Sequence, residues 1–554
     1  APESHTYDAA TANRTASYEF GLLKSSFGYH ADGTLYRRSD PAGRPTYYTN
    51  YKRGLPQNVQ YPDSTTESAV INNPGSIASH TNAVNTTTNY GFDAMGRLAS
   101  ITPAGGDTVA WHPTTLSFER VGAAEYGIAG GHWRQTVSTG NARTVRIFDA
   151  LWRERMTRTY DAANEAGTRS VIERRFDGVG NKVFESYPVR DIAAVNGVVA
   201  GRTTTYDRLN RVYQTLQDSE LGVLTTTNNY LNGFLRQTVN PRGFASSTSF
   251  QAFDTPSEDA IAAMTAPAGV NLSIVRDVFG KPKSISRSGS YGGLGVSATR
   301  SYVYDGYERL CKTIEPETGA TVQAYDTANN LAWPASRLSL PSTTSCDQAS
   351  APSTRKVSFG YDNRNRLTTT TYGDGSASIT RNYTPDGLPY QVISGGSTWT
   401  YTYYNRRLLK QESLSIGGLS YPFDLIRDAH GNLATQGYPG GATVGMFPNA
   451  LGQPTQLGPY ATGVSHHPNG AIAGYTLGNG VVHSVSQNTR GLPLVWRDSG
   501  VMQDQYTYDP NGNVTAIADQ QASGATSRTM GYDGLDRLTT ANGAWGAGSY
   551  AYDP

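Results

Sequence analysis

Residues 361–372 read Tyr-Asp-Asn-Arg-Asn-Arg-Leu-Thr-Thr-Thr-Thr-Tyr and contain a short motif that recurs along the whole chain. The motif is an aromatic residue, Asp, two variable positions, Gly or Asn, Arg or Asn, and then Leu or Val. Residues 92–98 and 532–538 are close copies, and variants occupy residues 206–212, 304–310 and 508–514. Where copies are dense, Tyr361 and Tyr383 are 22 positions apart, and Tyr508 and Tyr532 are 24 apart. Because strands are usually about 5–6 residues long, one such unit predicts a single β-hairpin.

Each motif position has a structural reason. The aromatic residue ends a strand, and the Asp carboxylate accepts backbone N–H groups two residues on, which closes a turn. Gly or Asn then occupies the position that most needs positive φ. A carboxylate that recurs beside an aromatic every twenty-odd residues is typical of a structural element and not of a catalytic or metal site. The predicted motif residues are Phe92, Asp93, Gly96, Tyr206, Asp207, Tyr304, Asp305, Tyr361, Asp362, Tyr508, Asp509, Gly512, Tyr532 and Asp533.

The composition supports an all-β fold. The chain of 554 residues has 60 Gly, 28 Pro and 36 Tyr, which favour turns and strands. We therefore predict that more than half of the residues are in strands or tight turns, and under about 5% in helix. A flat strip of this many strands, spaced roughly 4.8 Å apart, would be on the order of 240 Å long. Strand twist accumulates, so the strip is predicted to spiral, and successive turns of the spiral cover each other's edges.

The chain is predicted to be one continuous array over residues 1–554. The motif is hard to find near residues 50–85, 102–146, 186–202 and 254–276, where we expect longer loops or irregular strands. Within the last of these stretches, residues 259–264 could form a short helical turn.

Charge and known catalytic motifs exclude several function classes. Lys plus Arg is 46 and Asp plus Glu is 45, a net charge of +1, so neither a nucleic-acid partner nor an anionic membrane surface is indicated. No run of 18 apolar residues predicts a membrane span. Neither a Gly-x-Ser-x-Gly elbow nor a Walker A loop is present. Adjacent His466 and His467 would point to opposite faces of a strand, which suits one metal poorly. The expectation is a protein without enzymatic activity, cofactor or metal.

Cys311 and Cys346 are 35 positions apart, which is not the spacing of a zinc site. They form either a disulfide, if the protein is exported, or two buried free thiols.

The repeated motif resembles that of the Rhs/YD-repeat family, which includes bacterial Rhs polymorphic toxins, the shell component of insecticidal toxin complexes, and the teneurins. Residues 475–480 and 309–319 also resemble short sequence motifs that are common in Rhs proteins. The resemblance implies a β-strip that spirals into a hollow shell or barrel in a secreted or extracellular protein, with the bacterial cell surface as another location. It also implies that the partner is a toxic C-terminal domain of the same polypeptide. The sequence stops at Tyr552-Asp-Pro554, so we expect the C-terminal core segment and the toxin domain to lie outside it.

Two functions fit this resemblance. The first is a non-catalytic scaffold that encapsulates a C-terminal toxin domain and helps deliver it. The second is an extracellular adhesin or surface fibre whose exposed Tyr, Asn and Asp side chains bind glycans or cell surfaces.

Overall fold

A computed structural model describes residues 2–252, 257–521, 524 and 526–553. The protein is almost entirely β, with 55% of the chain in strands and 2% in helix. The predicted all-β fold class is therefore confirmed. Among the described residues, no helix is long and apolar enough to cross a membrane.

The first 28 strands form one sheet. They begin with β1 Glu3–Tyr7, β2 Arg14–Glu19, β3 Leu22–Tyr29, β4 Leu35–Ser39, β5 Pro45–Lys52, β6 Leu55–Gln60, β7 Thr66–Ile71, β8 Ile77–Thr81, β9 Thr87–Phe92 and β10 Leu98–Thr102. They continue with β11 Thr114–Arg120, β12 Trp133–Thr139, β13 Ala142–Phe148, β14 Glu154–Asp161, β15 Ser170–Phe176, β16 Lys182–Ser186, β17 Gly201–Tyr206, β18 Val212–Ser219 and β19 Gly222–Leu231. The last are β20 Leu235–Val239, β21 Ala245–Phe250, β22 Ile261–Ala266, β23 Val270–Arg276, β24 Pro282–Tyr291, β25 Leu294–Tyr304, β26 Leu310–Glu315, β27 Gly319–Tyr325 and β28 Leu331–Leu338.

Two sheets of nine strands follow. The first contains β29 Val357–Tyr361, β30 Leu367–Tyr372, β31 Ile379–Tyr383, β32 Pro389–Ser394, β33 Ser397–Tyr403, β34 Leu409–Ile416, β35 Leu419–Arg427, β36 Leu433–Gly437 and β37 Thr443–Gly445. The second contains β38 Ala461–His466, β39 Ile472–Leu477, β40 Val482–Gln487, β41 Pro493–Asp498, β42 Met502–Tyr508, β43 Val514–Asp519, β44 Arg528–Tyr532, β45 Leu538–Gly543 and β46 Gly546–Ser549. The helical segments of the described chain are α1 Glu165–Thr168 and the 3₁₀ turns Pro267–Gly269, Gln348–Ser350 and Ser353–Arg355.

The three sheets are consecutive parts of one strip. Within each sheet, every strand pairs antiparallel with the strand before it and the strand after it in sequence. Between the first two sheets, Ala335 forms a bridge with Lys356. Between the last two, the N–H of Gly458 donates to the carbonyl of Gly445 at 2.7 Å. The strip therefore runs through the described residues as an antiparallel meander.

The turns alternate between two edges of this strip. The motif edge contains the turns that follow motif aromatics, such as residues 92–98, 361–367 and 532–538. The hairpin edge contains the other turns, such as residues 139–142 and 416–419. The turn that follows Tyr361 on the motif edge also has a bulge: Tyr361 pairs with Leu367 but Gly360 pairs with Thr369, so Thr368 is the extra residue.

The strip is a single layer that leaves both faces largely accessible. Its accessible surface is 29221 Å², whereas a compact monomer of this mass would expose about 19,000 Å². Two small apolar clusters are exceptions, and in each a loop covers one face of the sheet. One is formed by Val145, Ile147, Met156, Val171, Ile192 and Val195, and the other by Ala320, Val322, Ala335, Leu338 and Ala351. Hydrogen-bonded hairpins, and not a central core, therefore hold most of the chain together.

Two expectations about irregular stretches are wrong. Residues 50–85 contain regular strands up to β8, because Asn replaces the motif Asp. The Asn72 side chain accepts the N–H of Ser76 at 2.7 Å, and the Asn82 side chain accepts that of Thr86 at 3.0 Å. Asn thus closes the same turn without a charge. Residues 261–266 form strand β22 and not a helical turn, because they pair in register with β21 and β23.

Of the other stretches expected to be irregular, two contain long loops and part of one lies outside the described residues. Residues 254–256 lie outside the described residues. Residues 102–146 contain two long loops, 103–113 and 121–132, on either side of β11. Residues 187–200 form a long loop between β16 and β17.

Candidate functional site

The motif turns form the first part of the candidate site, and Asp362 illustrates their geometry. Its Oδ1 accepts the backbone N–H groups of Arg364 at 2.8 Å and Arg366 at 2.9 Å. Its Oδ2 accepts the Arg366 Nε–H at 2.6 Å. Asn365 supplies the left-handed residue, with φ 61°. The Asp362 carboxylate thus closes the turn of residues 362–366 by binding residues two and four positions on.

The same arrangement recurs at the other predicted motif positions. Asp93, Asp207, Asp305 and Asp533 each bind an Arg four residues on, and Asp509 binds Asn513 in the same way. Gly96 and Gly512 have φ of 78° and 94° at the left-handed position. Hydrogen bonds from the Arg97 backbone and guanidinium lower the pKa of Asp93, and those from Arg211 lower the pKa of Asp207. These carboxylates are held in the charged form as turn acceptors.

A ladder of tyrosine hydroxyl groups links each repeat to an earlier one. The Tyr361 hydroxyl donates to the carbonyl of Leu331 at 2.9 Å, and Tyr532 donates to Val514 at 2.9 Å. The acceptor is the residue that follows an upstream motif turn. Burial raises the pKa of both tyrosines. The ladder includes Tyr51, Tyr206, Tyr230, Tyr304, Tyr325, Tyr361, Tyr383, Tyr403, Tyr508, Tyr532 and Tyr552. The preference for Tyr over Phe therefore has a hydrogen-bonding reason.

Neighbouring motif turns also bind one another along the motif edge. The Arg309 guanidinium donates to the Asn329 side chain at 2.7 Å, and the Asn330 amide donates to the Asn365 side chain at 2.7 Å. Farther along, the Asn513 amide donates to Asp536 at 2.7 Å. These polar contacts join the turns into a continuous ridge.

The second part of the site is a seam where the strip meets itself. The hairpin edge of the first coil (described residues up to 276) contacts the motif edge of the second coil (described residues from 277). Arg44 donates to the Asp362 carbonyl at 2.8 Å, across 318 positions of sequence. Asp161 accepts the N–H of Ala450 at 2.8 Å, across 289 positions. Other seam pairs are Phe20–Phe279, Asp63–Arg366, Asp107–Asn405, His112–His430 and Glu220–Arg490.

The seam sets the size of the coil. Seam partners are about two dozen strands apart, so at roughly 4.8 Å per strand the circumference is about 115 Å and the diameter about 37 Å. Because the strip is a single layer, a coil of this diameter has space inside it. This geometry is suited to enclosing a molecule.

Arg242 makes the densest set of contacts in the seam. Its guanidinium donates to the carbonyls of Asp533 at 2.7 Å and Tyr532 at 3.0 Å. It also pairs with the carboxylates of Asp536 at 2.7 Å and Asp509 at 3.1 Å. The Arg242 side chain is only 14% exposed. One arginine thus holds two motif turns of the second coil against the first.

The two cysteines lie at one of the covered faces. The Cys311 and Cys346 sulfurs are bonded, with their Cα atoms 5.3 Å apart, and Cys311 is fully buried. Beside them the Lys312 ammonium, also fully buried, pairs with the Asp347 carboxylate. These contacts fasten the loop of residues 339–356 over β26.

The part of the chain that the structure describes brings together no set of side chains suited to a metal ion. No group of three His, Cys, Asp or Glu side chains in residues 2–252, 257–521 or 526–553 could hold a metal ion. His467 Nε2 lies 2.7 Å from the Val485 carbonyl, and the His466 carbonyl accepts a hydrogen bond from Arg190 across the seam. The His467 side chain and the His466 backbone are thus used in structural contacts.

Sequence reasoning missed the seam residues and the Asn turns. A search for Asn followed three residues later by Gly would have found residues 240–244 and 488–492, which adopt the motif turn. No sequence signal identifies Arg242, because its partners lie in another coil.

Known structures with the same fold belong to toxin complexes. No protein-family model matches the chain, and a search of curated proteins gave no match. The TcdB2-TccC3 crystal structure is similar over 98% of this chain and 31% of its own chain, with TM-score 0.62 and 13% identity. A Photorhabdus luminescens Tc holotoxin pore is similar over 98% and 33%, with TM-score 0.60 and 12% identity. TcdB2-TccC3 without its hypervariable C-terminal region gives TM-score 0.51 at 12% identity, over the same shares. The chain thus shares the fold of these structures and spans about a third of their length.

Proposed function

We propose that this chain is a non-catalytic scaffold, a segment of a Rhs-type shell that encloses a C-terminal toxin domain of the same polypeptide and helps to deliver it. The observation that carries the proposal is the single-layer coil. The structure leaves about 10,000 Å² more surface accessible than a compact fold of its mass would. A single-layer wall around an internal space has this property, because both of its faces remain accessible.

The contacts of the candidate site support the same role. The seam and the tyrosine ladder are structural contacts, and both recur along the strip in place of one localised centre. The shared fold with toxin-complex structures adds to this support. A shell of this kind belongs to a secreted protein, where a Cys311–Cys346 disulfide would persist.

Protease protection tests encapsulation. The longest native form of the polypeptide is digested, and the survival of the domain that follows the shell is measured. We expect this domain to resist digestion in the wild-type protein and in an Arg300→Gln control, because Arg300 pairs with Glu315 outside the seam. We expect it to be cut in Arg242→Gln, in which the seam is weakened. A downstream domain that is digested equally in all three proteins would contradict encapsulation.

Glycan binding is a second candidate, favoured by an aromatic platform on the motif edge of the first coil. Phe118 stacks on Trp133 at 5.1 Å and on Trp152 at 5.5 Å. Trp152 is 57% exposed, although exposed aromatic surface is usually avoided outside binding sites. If the platform binds sugars, glycan-array binding by the wild-type protein is lost in Trp152→Ala. An array without a signal would rule this candidate out.

A further inference from the structure

One histidine of the second coil contacts the first coil through its ring. His430 lies at the tip of the motif turn of residues 427–433, and its side chain is 16% exposed. Its Nε2 accepts the backbone N–H of Asn141 at 3.2 Å, across 289 positions of sequence. Beside it, the N–H of His112 donates to the carbonyl of Ala429 at 2.8 Å. Two backbone N–H groups thus hold this part of the seam, and one of them donates to an atom that titrates.

This contact requires a neutral His430 ring. An imidazole nitrogen accepts a hydrogen bond only while it carries no proton, and in the imidazolium both nitrogens are donors. His430 Nδ1 lies 3.6 Å from Oδ2 of Asp428, which favours the proton of the neutral ring on Nδ1 and leaves Nε2 as the acceptor. Protonation of Nε2 would aim a second N–H at that of Asn141. The hydrogen bond across the seam would then be replaced by a repulsive contact.

A second histidine adds to this repulsion. The ring centroids of His112 and His430 are 4.7 Å apart. Both rings also lie against Gly140, where an added side chain would collide with each of them. Histidine is the side chain that ordinarily changes its charge between pH 5 and 8. As the pH falls through this range, two positive charges develop at the same point of the seam.

The charged groups beside His430 in the second coil do not favour a closed or an open seam. Asp428 belongs to the same turn, and the Arg406 guanidinium donates to the carbonyl of His430 at 2.9 Å. Both groups stay beside the His430 ring when the coils separate, so they act on its charge equally in the closed and the open seam. The groups of the first coil therefore decide the direction.

The first coil presents positive charge and an N–H donor to a protonated His430. The ring faces the His112 ring and the Asn141 N–H, and in the same hairpin the Arg143 guanidinium donates to a carbonyl of the contacting turn. The Asp107 carboxylate, on the loop that contains His112, accepts a backbone N–H of the second coil in the adjacent seam contact at 3.0 Å. The closed seam thus binds the proton less well than the open seam, so acid favours opening.

Other histidines respond to acid in the opposite way. In the described chain, His80 lies 3.2 Å from the Glu67 carboxylate, and His483 lies 2.6 Å from that of Asp498. Each of these pairs lies within one coil, and protonation of the histidine strengthens it. Among these histidines, acid therefore weakens the contact of His430 and strengthens the other two.

We propose that His430, together with His112, is an acid-sensitive latch, which holds the two coils together at neutral pH and releases this part of the seam as the pH falls toward about 5.5. The release is local, because the hairpin that presents Asn141 keeps its own strand pairing of Thr139 with Ala142. The proposal concerns the coil itself and does not depend on what the coil encloses.

Hydrogen exchange at about pH 7.5 and about pH 5.5, measured by mass spectrometry and resolved to single residues, tests the latch. The reporters are the amides of His112 and Asn141, which donate across the seam. Each rate is divided by that of a short unstructured peptide at the same pH, which removes the direct effect of pH on exchange. We expect both corrected rates to rise roughly tenfold at the lower pH, the factor for one lost hydrogen bond with added repulsion. Amides that pair β12 with β13 should not change.

Two substitutions of His430 should act in opposite directions. His430→Gln retains a side-chain acceptor and cannot be protonated, so its reporters should show no pH effect. His430→Arg carries a permanent charge, so its reporters should exchange at neutral pH as fast as those of the wild-type protein do in acid. His467→Gln is the matched control, because His467 contacts Val485 within the second coil, and it should keep the wild-type pH effect.

Corrected reporter rates that are equal at both pH values in the wild-type protein would overturn the proposal. So would a pH effect that persists unchanged in His430→Gln, or amides of β12 and β13 that accelerate as much as the reporters. If the Gln side chain packs poorly and its reporters exchange fast at both pH values, His112→Phe decides, since it keeps a ring beside His430 but removes one charge. A smaller pH effect than in the wild-type protein supports the latch, and an unchanged effect overturns it.

Discussion

Replacing Arg242 with Gln tests the seam without disturbing any hairpin, because Arg242 lies in a turn and its partners lie in the second coil. The change removes one positive charge from between the carboxylates of Asp509 and Asp536. It also removes the hydrogen bonds to the carbonyls of Tyr532 and Asp533. The local strand pairing of β20 with β21 is left intact.

The expected magnitude follows from these contacts. A hydrogen bond to a charged group contributes about 1.5–3 kcal/mol, and contributions within one network do not add fully. Asp536 is 38% exposed, so solvent screens part of its interaction with Arg242. We therefore expect the attachment of strands β42 through β45 to the first coil to weaken by about 3 kcal/mol. This corresponds to a roughly hundredfold increase in the equilibrium constant for their opening.

Hydrogen exchange measured by mass spectrometry is the assay, because a strip of repeats opens locally and not in one step. Amides of β44 and β45 should exchange about a hundredfold faster in Arg242→Gln, while those of β1 to β18 should be unchanged. The Arg300→Gln control loses an exposed ion pair within a hairpin, worth at most about 1 kcal/mol. If β44 and β45 exchange alike in both variants, the reasoning about the seam is refuted.

Three further predictions concern the repeat itself, and a fourth concerns the disulfide. Tyr361→Ala should destabilise by about 2–4 kcal/mol, from roughly 100 Å² of lost apolar burial and one hydrogen bond, whereas Tyr361→Phe should cost about 1 kcal/mol. An unchanged melting temperature in both would show that this side chain is not packed. Asp362→Ala should cost about 2–3 kcal/mol, because the variant loses the three hydrogen bonds that this carboxylate accepts; a loss below about 1 kcal/mol by denaturant titration would contradict this. The lowered pKa of Asp93 stabilises the fold above its unfolded value of 3.8, and this contribution is lost as the pH falls through the folded value. The melting temperature should therefore be insensitive to pH near neutrality and should fall in acid, and the fall should be smaller in Asp93→Asn. Mass spectrometry of the alkylated, non-reduced protein should show Cys311 and Cys346 linked, and two alkylated thiols would exclude the disulfide.

The motif turns could be predicted from the sequence because their hydrogen bonds are local. Asp362 binds groups two and four residues away, so residue types and spacing alone specify the turn. A pattern built on Asp does not find the turn at Asn72, because there an uncharged side chain closes the turn by accepting the N–H of Ser76. Residues 259–264 do not form the predicted helical turn, because the pairing of β22 with β21 and β23 outweighs a weak local helix propensity.

The seam could not be predicted from the sequence. Which residue meets Arg242 depends on the number of strands per coil, and this number depends on twist summed over about two dozen strands. A small change in twist per strand would shift every seam partner by a whole hairpin. The seam therefore depends on the structure of the whole strip.

Cryo-electron microscopy of the 554-residue chain shows directly whether the strip forms a hollow coil. We expect a single-layer wall with strands roughly 4.8 Å apart, coiled nearly twice around an open interior, with about 37 Å between opposite walls. We also expect residues 242 and 533 to meet at the seam between the coils. A solid particle with two sheets packed face to face at about 10 Å, or an open strip without a seam, would contradict it.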